Sequence, residues 1–151
     1  NNLVHLDIKL ENIILTSKEP IKIKIIDLEN CQKINNKKNT FCGTLGYASP
    51  EMILQHEYYY NTDVWSLGII LFMLYTHDNF IYKNTANNKN YDWLSFFDNY
   101  NSNFIKKRLL DTDSYDVDIF ELLKVMLHKL HVYRISIHGL KKHKLLQIQK
   151  S

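Results

Sequence analysis

Asp7, Lys9 and Asn12 stand close together near the start of the 151-residue chain, in the run Val4-His5-Leu6-Asp7-Ile8-Lys9-Leu10-Glu11-Asn12. An aspartate, a lysine two residues on and an asparagine five residues on, set just before a β-branched stretch, bring a base, a cation and an amide to one edge. Phosphoryl transfer needs such parts: an acceptor for the proton of the attacking hydroxyl, a positive charge near the moving phosphate and oxygen ligands for Mg²⁺. A charged turn ahead of a strand would use the same residue types, so this run alone leaves both readings open.

The surrounding pattern predicts the elements that must position these groups. Asn12 to Thr16 is a short β-branched run, and Ser17 to Pro20 are turn formers. Ile21, Ile23 and Ile25 alternate with Lys22 and Lys24, which predicts a half-exposed strand and, with the first run, a hairpin. Residues 29–46 are polar, contain Gly43 and Gly46, and predict one long loop; loops of that length without secondary structure are usually functional. Asn61-Thr62-Asp63 forms a cap cluster before an apolar run, so a buried helix is expected over Val64 to Tyr75. Residues 77–90 read as an irregular connection, and Tyr91 to Tyr100 as an aromatic-rich helix. Ile119, Leu122, Leu123, Met126, Leu127 and Leu130 recur at helical spacing, predicting an amphipathic helix over 117–130 with Asp116 and Asp118 at its positive end. A last short helix is expected from Ile137 to Leu146. The predicted class is α+β: a mainly helical body that begins with a short β-hairpin.

Four further stretches carry recognisable chemistry or architecture. Ile25-Ile26-Asp27-Leu28-Glu29 ends the second strand, with Asp27 20 residues after Asp7. Thr40-Phe41-Cys42-Gly43-Thr44-Leu45-Gly46-Tyr47-Ala48-Ser49-Pro50-Glu51 follows, and Asp63-Val64-Trp65-Ser66-Leu67-Gly68 begins 12 residues after Glu51. Arg134-Ile135-Ser136 comes after the amphipathic helix. In this order the five stretches resemble the catalytic loop, D-F-G, the G-T-x-x-Y-x-A-P-E end of the activation segment, D-x-W-S-x-G and R-x-S/T of the eukaryotic-type serine/threonine protein kinases. Lys9 and Glu11-Asn12 look like the serine/threonine branch rather than the tyrosine branch. The resemblance covers residues 4 to 146 and implies the C-terminal lobe of that fold.

What the resemblance implies can be stated residue by residue. Asp7 would take the hydroxyl proton, Lys9 would steady the γ-phosphate of ATP, and Asn12 and Asp27 would bind Mg²⁺, with Asp27 the main ligand. Thr44 would hydrogen-bond Asp7 and Lys9 beside the hydroxyl of a protein substrate. His5, Glu51, Asp63, Trp65 and Arg134 would be structural, Asp63 bracing the catalytic-loop backbone and Arg134 pairing with Glu51 in the interior. Thr40 matches a position phosphorylated in many relatives; an unmodified loop residue is the alternative. Residues 27–51 would form the activation segment and 63–75 the central buried helix of a partial kinase domain filling 1–151.

The chain also departs from the pattern. Leu6 replaces the arginine of H-R-D, which in the family neutralises an activation-loop phosphate; Lys33, Lys37 and Lys38 are the remaining nearby charges. Leu28 keeps an apolar residue in place of phenylalanine, whereas Glu29 replaces glycine, removing φ freedom and adding negative charge near the metal position. Leu10 stands for proline and Ser49 for alanine. No Gly-rich loop, strand lysine or partner helix glutamate occurs in the sequence, so the N-terminal lobe is expected to be absent and to be the missing upstream partner. Without that wall of the nucleotide cleft, the isolated chain is expected to have negligible activity. A pseudokinase acting as a scaffold or binding module, and a truncated fragment, are the competing expectations.

Composition bounds the remaining classes. Hydrophobic residues make up 45% and charged ones 23%, an ordinary globular balance. A net charge of +3 without a clustered basic face predicts no nucleic-acid partner. The longest apolar run is too short to span a membrane, so no membrane partner is expected. Cys31 and Cys42 are too few for a secreted disulfide framework, which predicts a reducing, intracellular and cytoplasmic setting, and Cys42, within its motif, reads as a packed thiol rather than a redox sensor. His128, His131, His138 and His143 lack neighbouring ligands at metal spacing and read as ordinary surface and core histidines.

Overall fold

The computed structural model describes residues 3–34, 41–55, 57–81 and 90–147. Strand β1 (Leu3–Val4) leads through a 3-10 turn at Leu10–Asn12 into β2 (Ile13–Lys18) and β3 (Ile21–Ile25), followed by β4 (Gln32–Lys33). Six α-helices come next among the described residues: α1 (Pro50–Gln55), α2 (Thr62–Thr76), α3 (Trp93–Asn99), α4 (Ser102–Asp111), α5 (Val117–Met126) and α6 (Ile137–Lys141). Further 3-10 turns occupy His131–Tyr133 and Lys144–Leu146. The body is helix-rich, with two small two-stranded sheets among the described residues.

β2 and β3 pair antiparallel, Ile13 facing Ile25 and Leu15 facing Ile23, with an irregularity between Leu15 and Ser17. Asn12 is not part of the strand; its N–H closes a turn onto the Lys9 carbonyl at 3.0 Å, which carries its side chain back toward Asp7. The expected half-exposed β3 is instead exposed along its whole length, Ile21 at 78% and Ile23 at 59%. Alternation identified the pleat but not a packed face, because neither face of β3 meets a second layer among the described residues.

Residues 29–46 are not one uninterrupted loop. β4 pairs antiparallel with β1, Leu3 opposite Lys33 and Val4 opposite Gln32. A two-residue bridge has no periodicity to read, so it is set by the tertiary fold alone. Residues 35–40, and with them Thr40, lie outside the described residues.

The core forms around α2, where Val64, Trp65 and Phe72 are fully buried. Trp65 sits within 6.0 Å of the Phe97 ring and 5.5 Å of Tyr100, so α3 and the residue after it pack on the central helix. α5 starts on its expected cap: the Asp116 carboxylate accepts from the N–H groups of Asp118 and Ile119. It stops at Met126, short of the predicted 130, and Leu130 is half exposed. The Leu130 N–H donates to the His128 ring Nδ1 and the Val125 carbonyl accepts from the Ile135 N–H, so neither group makes the bond that would continue the helix. The aromatic-rich helix is confined to 93–99, capped by Asp92, while 77–81 carry no helix or strand and 82–89 lie outside the described residues. The final helix breaks after Lys141, and the chain turns again at His143.

α4 was not expected. Its buried face is Ile105, Arg108 and Leu109, so a charged residue supplies one of three core positions. Arg108 donates to the Asp78 carboxylate at 2.7 Å and to the carbonyls of Asn79 and Phe80, tying α4 to the chain leaving α2.

Gly68 lies where α2 meets the end of α5: a Cβ there would lie 2.8 Å from the Leu127 side chain and 3.2 Å from the Met126 Cβ. Gly68→Val should therefore overpack this crossing and cost about 1–3 kcal/mol, measured by urea denaturation. An unchanged midpoint would mean that the helices are not in this contact.

Candidate active site

The loop between β1 and β2 is fixed from beneath. Asp63, in the first turn of α2, accepts the N–H of His5 at 2.7 Å and that of Leu6 at 2.9 Å. Leu6 sits at φ 67°, a left-handed conformation that a leucine adopts only under constraint. Its side chain is buried with Val4, Ala48, Met52 and Tyr58. Above it, Gly43 has φ 92°, and a Cβ at that position would fall 2.4 Å from the Leu6 carbonyl oxygen. The His5 ring nitrogen Nε2 lies 3.2 Å from the Ile26 carbonyl, and the Ile26 N–H donates to the Asn12 carbonyl at 3.0 Å. These bonds attach the loop to the end of β3, where Asp27 follows.

On this frame four side chains meet. The Lys9 ammonium lies 2.8 Å from Asp7 Oδ2 and donates to Thr44 Oγ1 at 3.0 Å. Thr44 in turn donates to Asp7 Oδ1 at 2.8 Å. The Asn12 amide donates to the Asp7 carbonyl at 2.9 Å and to Asp7 Oδ2 at 3.3 Å. Burial pushes the Asp7 carboxyl upward, but the bonds from Lys9, Thr44 and Asn12 and the Lys9 charge outweigh it and hold the group below its ordinary value. The hydrogen bond to Asp7 raises Lys9 against the opposing effect of burial, and the charges of Asp7, Glu11 and Asp27 add to the rise. At neutral pH the pair is an ionised acceptor beside a firmly charged cation.

Two oxygen donors face this pair without protons of their own. Asn12 spends its N–H₂ on Asp7, leaving its amide oxygen without a donor among the described residues. Asp27 is exposed, sits at φ 63°, and makes no side-chain hydrogen bond among the described residues. Its link to the cluster is electrostatic, through Lys9.

A second set of groups holds the segment carrying Thr44. Arg134 and Glu51 form a two-pronged pair, Nη1 to Oε1 at 2.7 Å and Nη2 to Oε2 at 2.8 Å, both side chains almost wholly buried. Thr62 donates to Glu51 Oε1 at 3.0 Å, and the guanidinium lies 5.2 Å from the Trp65 ring. Burial pushes the Glu51 carboxyl upward, yet the hydrogen bonds and charge of Arg134 hold it below its ordinary value.

Of the sequence-predicted residues, Asp7, Lys9, Asn12 and Thr44 come into direct contact, Asp27 stands at the open side, and His5, Asp63, Glu51, Trp65 and Arg134 lie beneath. Asn61 occupies the expected N-cap position of α2, but its amide donates to the carbonyls of His131 and Arg134, so its side chain makes no capping bond. Asp63 and Thr62 likewise spend their oxygens on the loop and on Glu51 rather than on α2. Gly43 and Ser66, whose hydroxyl donates to the Tyr47 carbonyl at 2.9 Å, were missed as positioning groups. Only their membership of the motifs could have signalled them.

Residues 1–146 match the protein kinase domain family, and the chain belongs to that family. Curated relatives include an Aurora kinase of Saccharomyces cerevisiae, 39% identical over 75 residues, or 50% of this chain and 20% of that protein. A probable serine/threonine-protein kinase MARK-A of Dictyostelium discoideum is 46% identical over 74 residues, 48% of this chain and 7% of that protein. Aurora kinase B of Drosophila melanogaster is 42% identical over 72 residues, 48% of this chain and 22% of that protein. The matches thus span at most 22% of the length of these relatives.

Removing one partner of the interior pair leaves the other charged and buried, so Arg134→Ala should cost ~3–5 kcal/mol of unfolding free energy. An unchanged melting temperature would contradict this. The pH dependence has a definite sign. Because the folded-state pKa of Glu51 lies below its ordinary value of 4.5, the stabilisation is complete above that pH and is lost as the pH falls through the folded value. In acid denaturation Glu51→Gln should flatten that part of the profile; a slope equal to that of the parent would show that Glu51 contributes nothing to it.

Proposed function

We propose that this protein kinase domain transfers the γ-phosphoryl group of ATP to a serine or threonine hydroxyl of a protein substrate, and that its 151 residues form the C-terminal lobe of that enzyme. The observation that carries the reading is the closed contact of Asp7, Lys9 and Thr44, each pair within 3.0 Å, on a loop whose backbone is pinned by Asp63. Asp7, ionised and in contact with Thr44, accepts the proton of the substrate hydroxyl. Lys9 holds positive charge where the phosphate must pass, and Thr44 keeps Asp7 and Lys9 in register. His5, Asp63, Trp65, Glu51 and Arg134 act through these groups by fixing the two chain segments that carry them.

The donor set suits the family's cofactors. The Asn12 amide oxygen and the Asp27 carboxylate are both hard oxygen ligands without competing donors among the described residues, as Mg²⁺ requires. When bound there, the ATP–Mg²⁺ complex supplies the phosphoryl group and the positive charge that offsets charge developing on it. An intracellular setting belongs to the same proposal; no helix among the described residues is long and apolar enough to cross a membrane.

Exposed apolar residues on the hairpin support the one-lobe reading. Ile14, Leu15, Ile21 and Ile23, with Leu28 just beyond the hairpin, are each 44% exposed or more, a surface suited to cover by a further layer. With no Gly-rich loop or strand lysine in this sequence, the isolated chain should hold nucleotide poorly and transfer phosphate negligibly. A non-catalytic binding module is the second reading, favoured by the buried Leu6 and by Glu29 beside Asp27. With Leu6 buried among apolar groups, phosphorylation at Thr40 would have to draw on the lysines of its own segment.

In a chain completed with a nucleotide-holding lobe, Asp7→Asn should lower phosphoryl transfer by ~10²–10⁴-fold with nucleotide affinity unchanged. Equal rates for variant and parent would remove Asp7 from the chemistry and favour the binding module. The 151 residues alone should show no Mg²⁺–nucleotide binding tighter than about millimolar in calorimetry; micromolar binding would overturn the one-lobe reading.

A further inference from the structure

Away from the Asp7 cluster, a cleft of about 320 Å³ opens between α3 and α4, walled by the rings of Tyr91, Phe96, Tyr100 and Phe104. Phe96 lies 6.1, 5.9 and 5.4 Å from Tyr91, Tyr100 and Phe104, so the four rings pack into one continuous aromatic wall. Tyr100 forms the floor, its hydroxyl tied to the Leu127 carbonyl at 2.9 Å so that the ring is what it presents. Two acceptors stand on the rim. Asp92 caps α3 through Oδ1 alone, accepting from the Ser95 N–H at 3.0 Å, and Oδ2 is unengaged among the described residues. Asn99 spends its N–H₂ on the Ser95 carbonyl at 2.9 Å, leaving its amide oxygen open. Among the described residues, no lysine, arginine or histidine lines this cleft.

We propose that this cleft binds an arginine side chain of a polypeptide partner. Aromatic faces attract cations, and a planar guanidinium stacks on them. Its N–H donors also match the two free acceptors, which a quaternary ammonium, lacking donors, would leave unpaired. The neighbouring cleft beyond Tyr100, about 650 Å³, has the opposite character, with Lys124, His128 and Lys129 in its lining. A basic side chain is therefore directed to the aromatic side of the wall and an acidic one away from it.

The test uses the whole chain with phenylalanine and tyrosine rings labelled for NMR, titrated with acetyl-glycyl-arginyl-glycine amide and with its citrulline and trimethyllysine counterparts. The arginine peptide should shift the rings of Tyr91, Phe96 and Phe104, and the neutral citrulline peptide should bind about tenfold more weakly or not at all. Asp92→Asn keeps the helix cap and should weaken the arginine peptide by about fivefold, and Phe104→Leu, which keeps bulk but removes a ring, by a similar factor. Equal binding of citrulline, tighter binding of trimethyllysine, or full affinity in Asp92→Asn with unchanged circular dichroism would each overturn the assignment. An unfolded Phe104→Leu leaves the Asp92→Asn and citrulline comparisons to decide it.

Discussion

The carboxylate of Asp63 takes the N–H groups of His5 and Leu6 at 2.7 and 2.9 Å, and the placement of Asp7 and Lys9 follows from those two bonds. Leu6 occupies a left-handed conformation that costs on the order of 1–3 kcal/mol, whereas hydrogen bonds to a charged acceptor contribute ~1.5–3 kcal/mol each. The bonds win, and the turn they enforce brings Asp7 out toward Thr44. Asp63 can act as a fixed point because it stands on α2, whose neighbours Val64 and Trp65 are fully buried. A loop without regular structure of its own is thereby joined to the buried central helix.

The segment after Gly43 is attached independently. Glu51 and Arg134, 83 residues apart in the chain, meet in the interior and fix α1 relative to the turn after α5. An isolated interior ion pair gains little over apolar packing, but Thr62 and the carbonyls accepting from Arg134 satisfy most of its remaining hydrogen-bonding capacity. The pair thus orients the chain as well as joining it. Between the two attachments lies the apolar cluster of Leu6, Met52 and Tyr58, so a residue type that departs from the family pattern is used here for packing.

What could be read from the sequence depended on how local each signal was. Asp7, Lys9 and Asn12 lie within six residues, and their grouping needed no tertiary knowledge. Thr44 stands 37 residues from Asp7 and could be attached to it only through resemblance. α2 and α5 were legible because their apolar residues are dense or periodic. α4 was not, because Arg108 fills a core position by pairing with Asp78, and a buried arginine counts as a surface residue in any pattern of hydrophobicity. The same blindness applies to Asn61, Thr62 and Asp63: their types suit a helix cap, yet the fold offers each a longer-range partner. β3 shows the converse, since its alternation is real while the layer it would face is not among the described residues.

Phosphoryl transfer from a cluster held in this way is tested most directly by joining the chain to a nucleotide-holding lobe and supplying radiolabelled ATP, Mg²⁺ and a mixed-sequence peptide library, followed by phosphoamino-acid analysis. Label in phosphoserine and phosphothreonine, dependent on Mg²⁺, is the expected result. A folded, nucleotide-binding protein that incorporates no label, or places it on tyrosine, would contradict it.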